Sequence, residues 1–224
     1  MKIDLPSFTK DYSKPEKGQF PTGTRVYTGH QGSGKTLSLT KYAFDIKELF
    51  PKCEIYSNVI LYGIEYYPIS DPESLKVAIS CENGANGVLI LLDEAHLYFG
   101  RKDGIPLDLL TCISQQRKDR RRLIFSSQIW EELDISLRKQ VKEIVHCRCL
   151  FGKIQVNTVS DGETLHYDKQ SSQFVADKKY VEIFKHNDEY YKRYDTYQKI
   201  VTNQEYQALP TISAVFNEIK VTTK

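Results

Sequence analysis

Gly29-His30-Gln31-Gly32-Ser33-Gly34-Lys35-Thr36 places glycines, a lysine and a hydroxyl at the spacing G-x-x-x-x-G-K-[ST]. Glycines let consecutive backbone N–H groups turn inward around an anion, where a Cβ would obstruct them. A helix opening at the same point adds the positive end of its dipole. In that setting Lys35 bridges the β- and γ-phosphates of ATP, and the Thr36 hydroxyl holds Mg²⁺. A second group of residues, Val88-Leu-Ile-Leu-Leu92 followed by Asp93 and Glu94, supplies the carboxylates. An apolar strand ending in Asp93 carries that side chain to the carboxyl edge of a sheet, within reach of the Mg²⁺ shell. Glu94 beside it can orient a water and take its proton for attack on the γ-phosphate. A third group, Leu123-Ile-Phe-Ser-Ser-Gln128, ends a buried strand on a polar side chain suited to sensing whether ATP or ADP is bound.

Cations follow the same order. Arg117-Lys118-Asp119-Arg120-Arg121-Arg122 carries five cations in six positions. It reads either as a solvated helix end, where the dipole favours positive charge, or as a surface for DNA or a neighbouring subunit. An arginine supplied in trans can be worth about 10³–10⁵ in rate, and Arg117, Arg122 and Arg138 are the candidates. Asp93-Glu-Ala-His96 invites a helicase reading, but such enzymes need two recombinase-like domains. His96 is therefore expected to serve as a helix or packing residue.

Alternating elements must position these groups. Strands are expected at 25–28, 53–61, 88–92, 123–125 and 141–151. Helices are expected at 35–49, 74–80, 106–118 and 131–139, with Asp71 as N-cap and Pro72 at N1 of the second. The continuous apolar run 88–92 suits a parallel strand covered on both faces. Strand–helix alternation gives an α/β sheet with right-handed crossovers. Residues 1–24, with Pro6, Pro15 and Pro21, read as an irregular arm that Phe8, Tyr12 and Phe20 could anchor. Residues 25–151 form the nucleotide-binding core. Residues 152–224 form a small β-rich extension packed on it, in which 154–159 turns at 160–162 and returns through 165–167.

Composition narrows the class. The chain has 224 residues, and 31 basic against 29 acidic residues leave a charge of +2. That is too neutral for a protein that coats nucleic acid by bulk charge, so any DNA contact needs a local patch. The longest apolar run has five residues where a membrane span needs about 20, and the first residues lack the apolar core of a secretory signal. Five cysteines without a CxxC pair are expected as reduced thiols, in keeping with the host cytoplasm.

Gly29–Thr36, Leu92-Asp93-Glu94, the basic run, Phe125-Ser-Ser-Gln128 and Leu133-Asp-Ile-Ser-Leu-Arg138 together resemble the FtsK–HerA superfamily of P-loop ATPases. Within it the chain is most similar to zonula occludens toxin-like phage proteins and to genome-packaging ATPases of tailless viruses. The segment Tyr194-Asp195-Thr196-Tyr197 loosely resembles one that follows the ATPase core in such proteins. The resemblance implies a RecA-like core of the ASCE type, a homo-oligomeric ring (a hexamer ahead of a pentamer) and ATP-driven movement of DNA. It also implies a partner at a capsid vertex or in a membrane. Filamentous-phage members carry a membrane span after the ATPase domain, and none occurs here up to Lys224, which favours packaging over membrane-bound assembly. A small-molecule kinase is the other enzyme class; Glu94 and the lack of an obvious arginine-rich lid argue against it.

Overall fold

The computed structural model describes residues 18–99, 104–128, 130, 133–169 and 173–195. Ten strands occur among them: β1 (Gly23–Thr28), β2 (Glu54–Ser57), β3 (Tyr67–Pro68), β4 (Val88–Leu92), β5 (Arg121–Ser127), β6 (Val141–Leu150), β7 (Ile154–Asp161), β8 (His166–Asp168), β9 (Gln173–Val175) and β10 (Lys178–Lys185). Five helices accompany them: α1 (Lys35–Leu49), α2 (Pro72–Ser80), α3 (Leu107–Ser114), α4 (Ile135–Arg138) and α5 (Asp188–Tyr191). Eight strands form one sheet in the order β10-β7-β6-β1-β5-β4-β2-β3. The pairs from β6 to β3 are parallel, whereas β6–β7 and β7–β10 are antiparallel.

Period-two alternation sends each strand into two cores. Leu89 and Leu91 of β4 face Leu39, Tyr42, Ala43 and Ile46 of α1, while Val88, Ile90 and Leu92 face Leu75, Ala78 and Ile79 of α2 and Leu109 and Ile113 of α3. All five β4 residues are buried, as the uninterrupted apolar run requires. Asp71 caps α2 as expected: its side chain accepts from Ser74 N at 2.8 Å, and Ser74 Oγ accepts from Asp71 N at 3.1 Å.

Four expectations are corrected. The strand expected through residue 61 ends at Ser57, because Val59 N turns back to donate to Ser57 Oγ at 2.9 Å. The helix expected over 131–139 is only Ile135–Arg138 among the described residues, begun by Asp134, whose side chain accepts from Ser136 N. The return strand for β7 is β10, while β8 pairs with β9 in a separate two-stranded sheet. The C-terminal segment is therefore more than a layer packed on the core: β7 and β10 continue the core's own sheet. Residues 1–17, including Phe8 and Tyr12, lie outside the described part. Phe20 is buried, edge-on to Phe50 with ring centroids 5.2 Å apart, and 23–24 already belong to β1.

The run Arg117–Arg122 does not present one basic face. Arg117, Lys118 and Arg120 are exposed, whereas Arg121 and Arg122 enter β5 and are 3% and 4% exposed. Arg121 pairs with Asp119, and Arg122 with Glu143 and the Tyr42 hydroxyl. An arginine that follows a helix end by a few residues lies inside the sheet once its strand begins, so two of the five cations are structural. Arg25 of β1 joins them: fully buried, it reaches Glu182 at 2.7 Å, Glu143 at 3.6 Å and the Tyr180 hydroxyl at 3.3 Å. Burial pushes the Glu143 carboxyl up, but Arg122 and Arg25 outweigh it and hold it at about 2 against an ordinary 4.5. The folded value lies below the unfolded one. The stabilisation is thus complete above about pH 4.5 and is lost as pH falls toward 2, amounting to about 3 kcal/mol. Urea melts across that window should show the decline, and Glu143→Gln should flatten it.

Candidate active site

The loop between β1 and α1 leaves the sheet beside β6, where the strand order reverses direction: α1 carries the chain past β5 and β4 to β2, while β6 lies on the other side of β1. Ligands of open α/β sheets bind in the crevice at such a point, outside the carboxyl ends of the strands. A cleft of about 550 Å³ lies there, bounded on one side by Gly32, Gly34, Lys35 and Thr36 and on another by Asp93, Glu94 and Gln128.

Gly34 stands as N-cap of α1 with φ 85° and ψ 25°. A Cβ at this position would lie 2.1 Å from Gln155 Oε1, so both conformation and space demand glycine. The loop turns tightly, with Ser33 N donating to the His30 carbonyl at 3.1 Å. Lys35 Nζ donates to the carbonyls of Gly29 and His30 at 3.0 and 3.1 Å. Ser33 Oγ is buried and has no hydrogen-bond partner among the described residues. A free hydroxyl, a lysine folded across the loop and the N-terminus of a 15-residue helix form a donor set suited to phosphate oxygens.

Opposite the loop, the carboxylates are held from several strands. Thr36 Oγ1 donates to Asp93 Oδ2 at 2.8 Å, and Ser126 Oγ of β5 donates to Asp93 Oδ1. Asn58, just beyond β2, locks the Asp93 backbone twice: its Nδ2 donates to the Asp93 carbonyl at 2.9 Å, and its Oδ1 accepts from Asp93 N at 2.7 Å. Burial pushes the Asp93 pKa up, and the bonds from Ser126 and Thr36 oppose that rise. Thr36 and Asp93 are thus adjacent oxygen donors, which fits a hard divalent cation such as Mg²⁺.

Glu94 follows in the left-handed region at φ 53°. A non-glycine residue held there is strained, a feature that clusters at functional sites. Its N–H donates to Ser126 Oγ at 2.9 Å, and its carboxylate Oε1 accepts from Gln128 Nε2 at 2.8 Å. His96, in a single turn of 3-10 helix, lies with Nδ1 3.3 Å from Glu94 Oε2. The carboxylate is therefore held by the Gln128 amide at the edge of the cleft, with the His96 imidazole beside it.

The sequence-derived set divides accordingly. Gln31, Gly32, Gly34, Lys35, Thr36, Asp93, Glu94 and Gln128 all line one cleft. Gly29 and His30 bind Lys35 through their carbonyls. Arg138, at the end of α4, and Arg117, Lys118, Arg120, Arg121 and Arg122 are not among the residues lining it. Residues outside the sequence-derived site set complete the wall: Leu37, Asn58 and Val59, Cys149 near the end of β6, and from the C-terminal segment Gly152, His186, Tyr191, Tyr194 and Asp195. Tyr194 is buried and bridges Leu61, so this segment crosses from β10 over α1 to the end of β2. Arg193 lies over the Phe44 ring of α1 at 4.7 Å on the way. Thr196 and Tyr197 lie outside the described residues. The polar types in 186–195 were the available signal, but their distance from the loop in sequence hid it.

No family model and no curated protein matches this chain. Among solved structures, it is similar to the N-terminal domain of zonular occludens toxin from Neisseria meningitidis, with a TM-score of 0.55 at 18% identity, covering 77% of this chain and 98% of that one. It is also similar to the genome packaging NTPase B204 from Sulfolobus turreted icosahedral virus 2 in complex with sulfate, with a TM-score of 0.50 at 15% identity, covering 73% and 96%. These likenesses show the fold: the P-loop fold of the RecA-like α/β type, with a mainly parallel central sheet flanked by helices.

Proposed function

We propose that a chain with this fold and cleft binds ATP and hydrolyses it, and that hydrolysis drives the movement of DNA, most simply the packaging of a viral genome. The observation that carries the hydrolytic reading is Glu94, fixed by Gln128 and backed by Asp93 and Ser126 opposite the phosphate loop. A phosphotransferase takes its nucleophile from the second substrate, and many small-molecule kinases lack a second carboxylate here. Lys35 and the loop N–H groups bind the phosphates, Glu94 takes the proton of the attacking water, and Gln128 holds Glu94 in line. Thr36 and Asp93 would hold Mg²⁺, which when bound offsets charge on the phosphate oxygens.

The DNA reading is supported by the likeness in fold to a packaging NTPase and by the exposed Arg117, Lys118 and Arg120. Repeated around a homo-oligomeric ring, these three cations give a near-neutral chain a local basic surface. Among the described residues Lys35 is the one Lys or Arg that lines the cleft, and Arg138 of an adjacent subunit is the cation we assign to the transition state. A second reading is an assembly or secretion ATPase that works with a membrane partner. The 0.55 TM-score to the zonular occludens toxin domain favours it. No helix among the described residues is long and apolar enough to cross a membrane.

ATPase rates with and without double-stranded DNA, measured beside the oligomer mass, test this. Stimulation by DNA in a ring-sized species supports the motor. A monomer indifferent to DNA removes it and leaves the assembly reading. In the same assay, Arg138→Ala mixed with Lys35→Ala should regain activity that neither has alone; no recovery withdraws Arg138.

A further inference from the structure

A buried polar chain runs from the sheet to the phosphate loop, and its hydrogen-bond directions can be assigned from two fixed points. Glu182 is a carboxylate paired to Arg25 and can only accept, so Asn157 turns its Nδ2 toward it at 3.4 Å. Asn157 Oδ1 then faces inward and accepts from Ser38 Oγ at 3.2 Å and Gln155 Nε2 at 2.9 Å. The second fixed point is the Ser33 carbonyl, which accepts from the same Gln155 Nε2 at 2.9 Å. Both amide hydrogens of Gln155 are thereby used, and its Oε1 faces His186 Nε2 at 3.1 Å. His186 must carry its proton on Nε2, leaving Nδ1 to accept from the Tyr191 hydroxyl at 2.6 Å. Burial lowers the His186 pKa, in keeping with this neutral ring.

Gln155 itself is 0% exposed and packs against the space where Gly34 lacks a side chain. It thus touches the two residues of the loop that precede Lys35. Nothing in the hydrolytic reading uses it. An uncharged amide completely buried with every hydrogen-bonding group engaged is costly to misplace, so its position is firmly set by what holds it.

We propose that Gln155, oriented by His186 and Tyr191, is a positioning residue that sets Ser33 and Gly34 of the phosphate loop for the triphosphate. The inference rests on the nucleotide reading above and adds to it the part played by the antiparallel extension. Affinity for the phosphates depends on a contact made by β7, and that contact depends in turn on β10 and α5. The relay acts on the phosphate cradle and is indifferent to the base.

The test compares binding of a non-hydrolysable ATP analogue and of inorganic triphosphate to the full chain and its variants. Gln155→Met, close in volume, should weaken both ligands by the same factor, roughly tenfold or more. In steady state the loss should appear in KM, with kcat changed by less than about threefold. Tyr191→Phe, at an exposed position, should shift both affinities in the same direction by a smaller factor. A Gln155→Met variant that binds like the wild type overturns the inference, as does a loss confined to the ATP analogue, which would make the relay a reader of the nucleoside. Should Gln155→Met not fold, Tyr191→Phe and the ¹⁵N spectrum of His186 decide: a proton on Nδ1 or unchanged Tyr191→Phe affinities overturn it. A wild-type chain that binds neither ligand removes the nucleotide reading and this inference together, whereas wild-type binding that survives every variant removes this inference alone.

Discussion

Glu94→Gln is expected to lower ATP turnover by about 10²–10⁴-fold while leaving nucleotide affinity within about twofold. The substitution removes one function alone. Glutamine keeps the length of the side chain, and its amide oxygen can still accept from Gln128 Nε2. The left-handed backbone at φ 53° is no harder for glutamine than for glutamate, and the N–H still meets Ser126 Oγ. Lys35, Thr36 and Asp93 are untouched, so the phosphate and cation contacts persist. What glutamine lacks is a basic oxygen for the proton of water. Single-turnover hydrolysis measured beside equilibrium binding separates the two quantities. Turnover near the wild-type rate would remove Glu94 as the base and shift attention to His96, whose ring stands 3.3 Å away.

Arg25→Met is expected to destabilise the fold by about 3–5 kcal/mol, a large part of the 5–15 kcal/mol typical of a domain. Arg25 is fully buried, with its guanidinium 5.2 and 4.8 Å from the ring centroids of Tyr27 and Tyr42. Burial disfavours its charge, but Tyr27, Glu182, Tyr180 and Glu143 hold its pKa well above the ordinary arginine value. Methionine fills much of the stem and leaves Glu182 without its cation, while Glu143 keeps Arg122. The cost is therefore that of a stranded carboxylate more than of lost packing. Arg25→Met combined with Glu182→Leu should recover a substantial part of it in urea denaturation. A double variant no more stable than the single one would place the cost in packing instead.

Much of the site was legible because its residues end strands. Asp93 and Glu94 follow an apolar run of five residues directly, Gln128 follows Leu123-Ile-Phe125 after two serines, and such runs flanked by polar residues leave little choice of element or edge. Gly34 was legible through its spacing to Lys35. Arg121 and Arg122 were not, because charge in sequence suggests solvent, and their burial follows only from Asp119 beside Arg121 and from Glu143 and Tyr42 beside Arg122. The strand β10 was missed for a related reason. Lys178-Lys-Tyr-Val-Glu-Ile-Phe-Lys185 mixes charge into its alternation, as befits a strand that ends the sheet among the described residues. Gln155 carries no sequence signal and His186 only that of a polar residue far along the chain, since an amide in a strand and an imidazole in a turn acquire their meaning only from the neighbour they meet.

The central place of β1 in the sheet has a consequence for how the chain is made. Its partners are β5 and β6, and Gly23 lies in register with Arg122 while Thr28 lies in register with His146. A chain that emerges N-terminus first must carry an unpaired β1 for about a hundred residues, the kind of non-local pairing that folds slowly. The phosphate loop emerges among the first elements, yet Gln155, His186 and Tyr194 reach it among the last. A growing chain thus cannot offer a finished cleft until nearly all of the described residues have been synthesised. Nucleotide capture would then mark completed protomers and pass over partial ones.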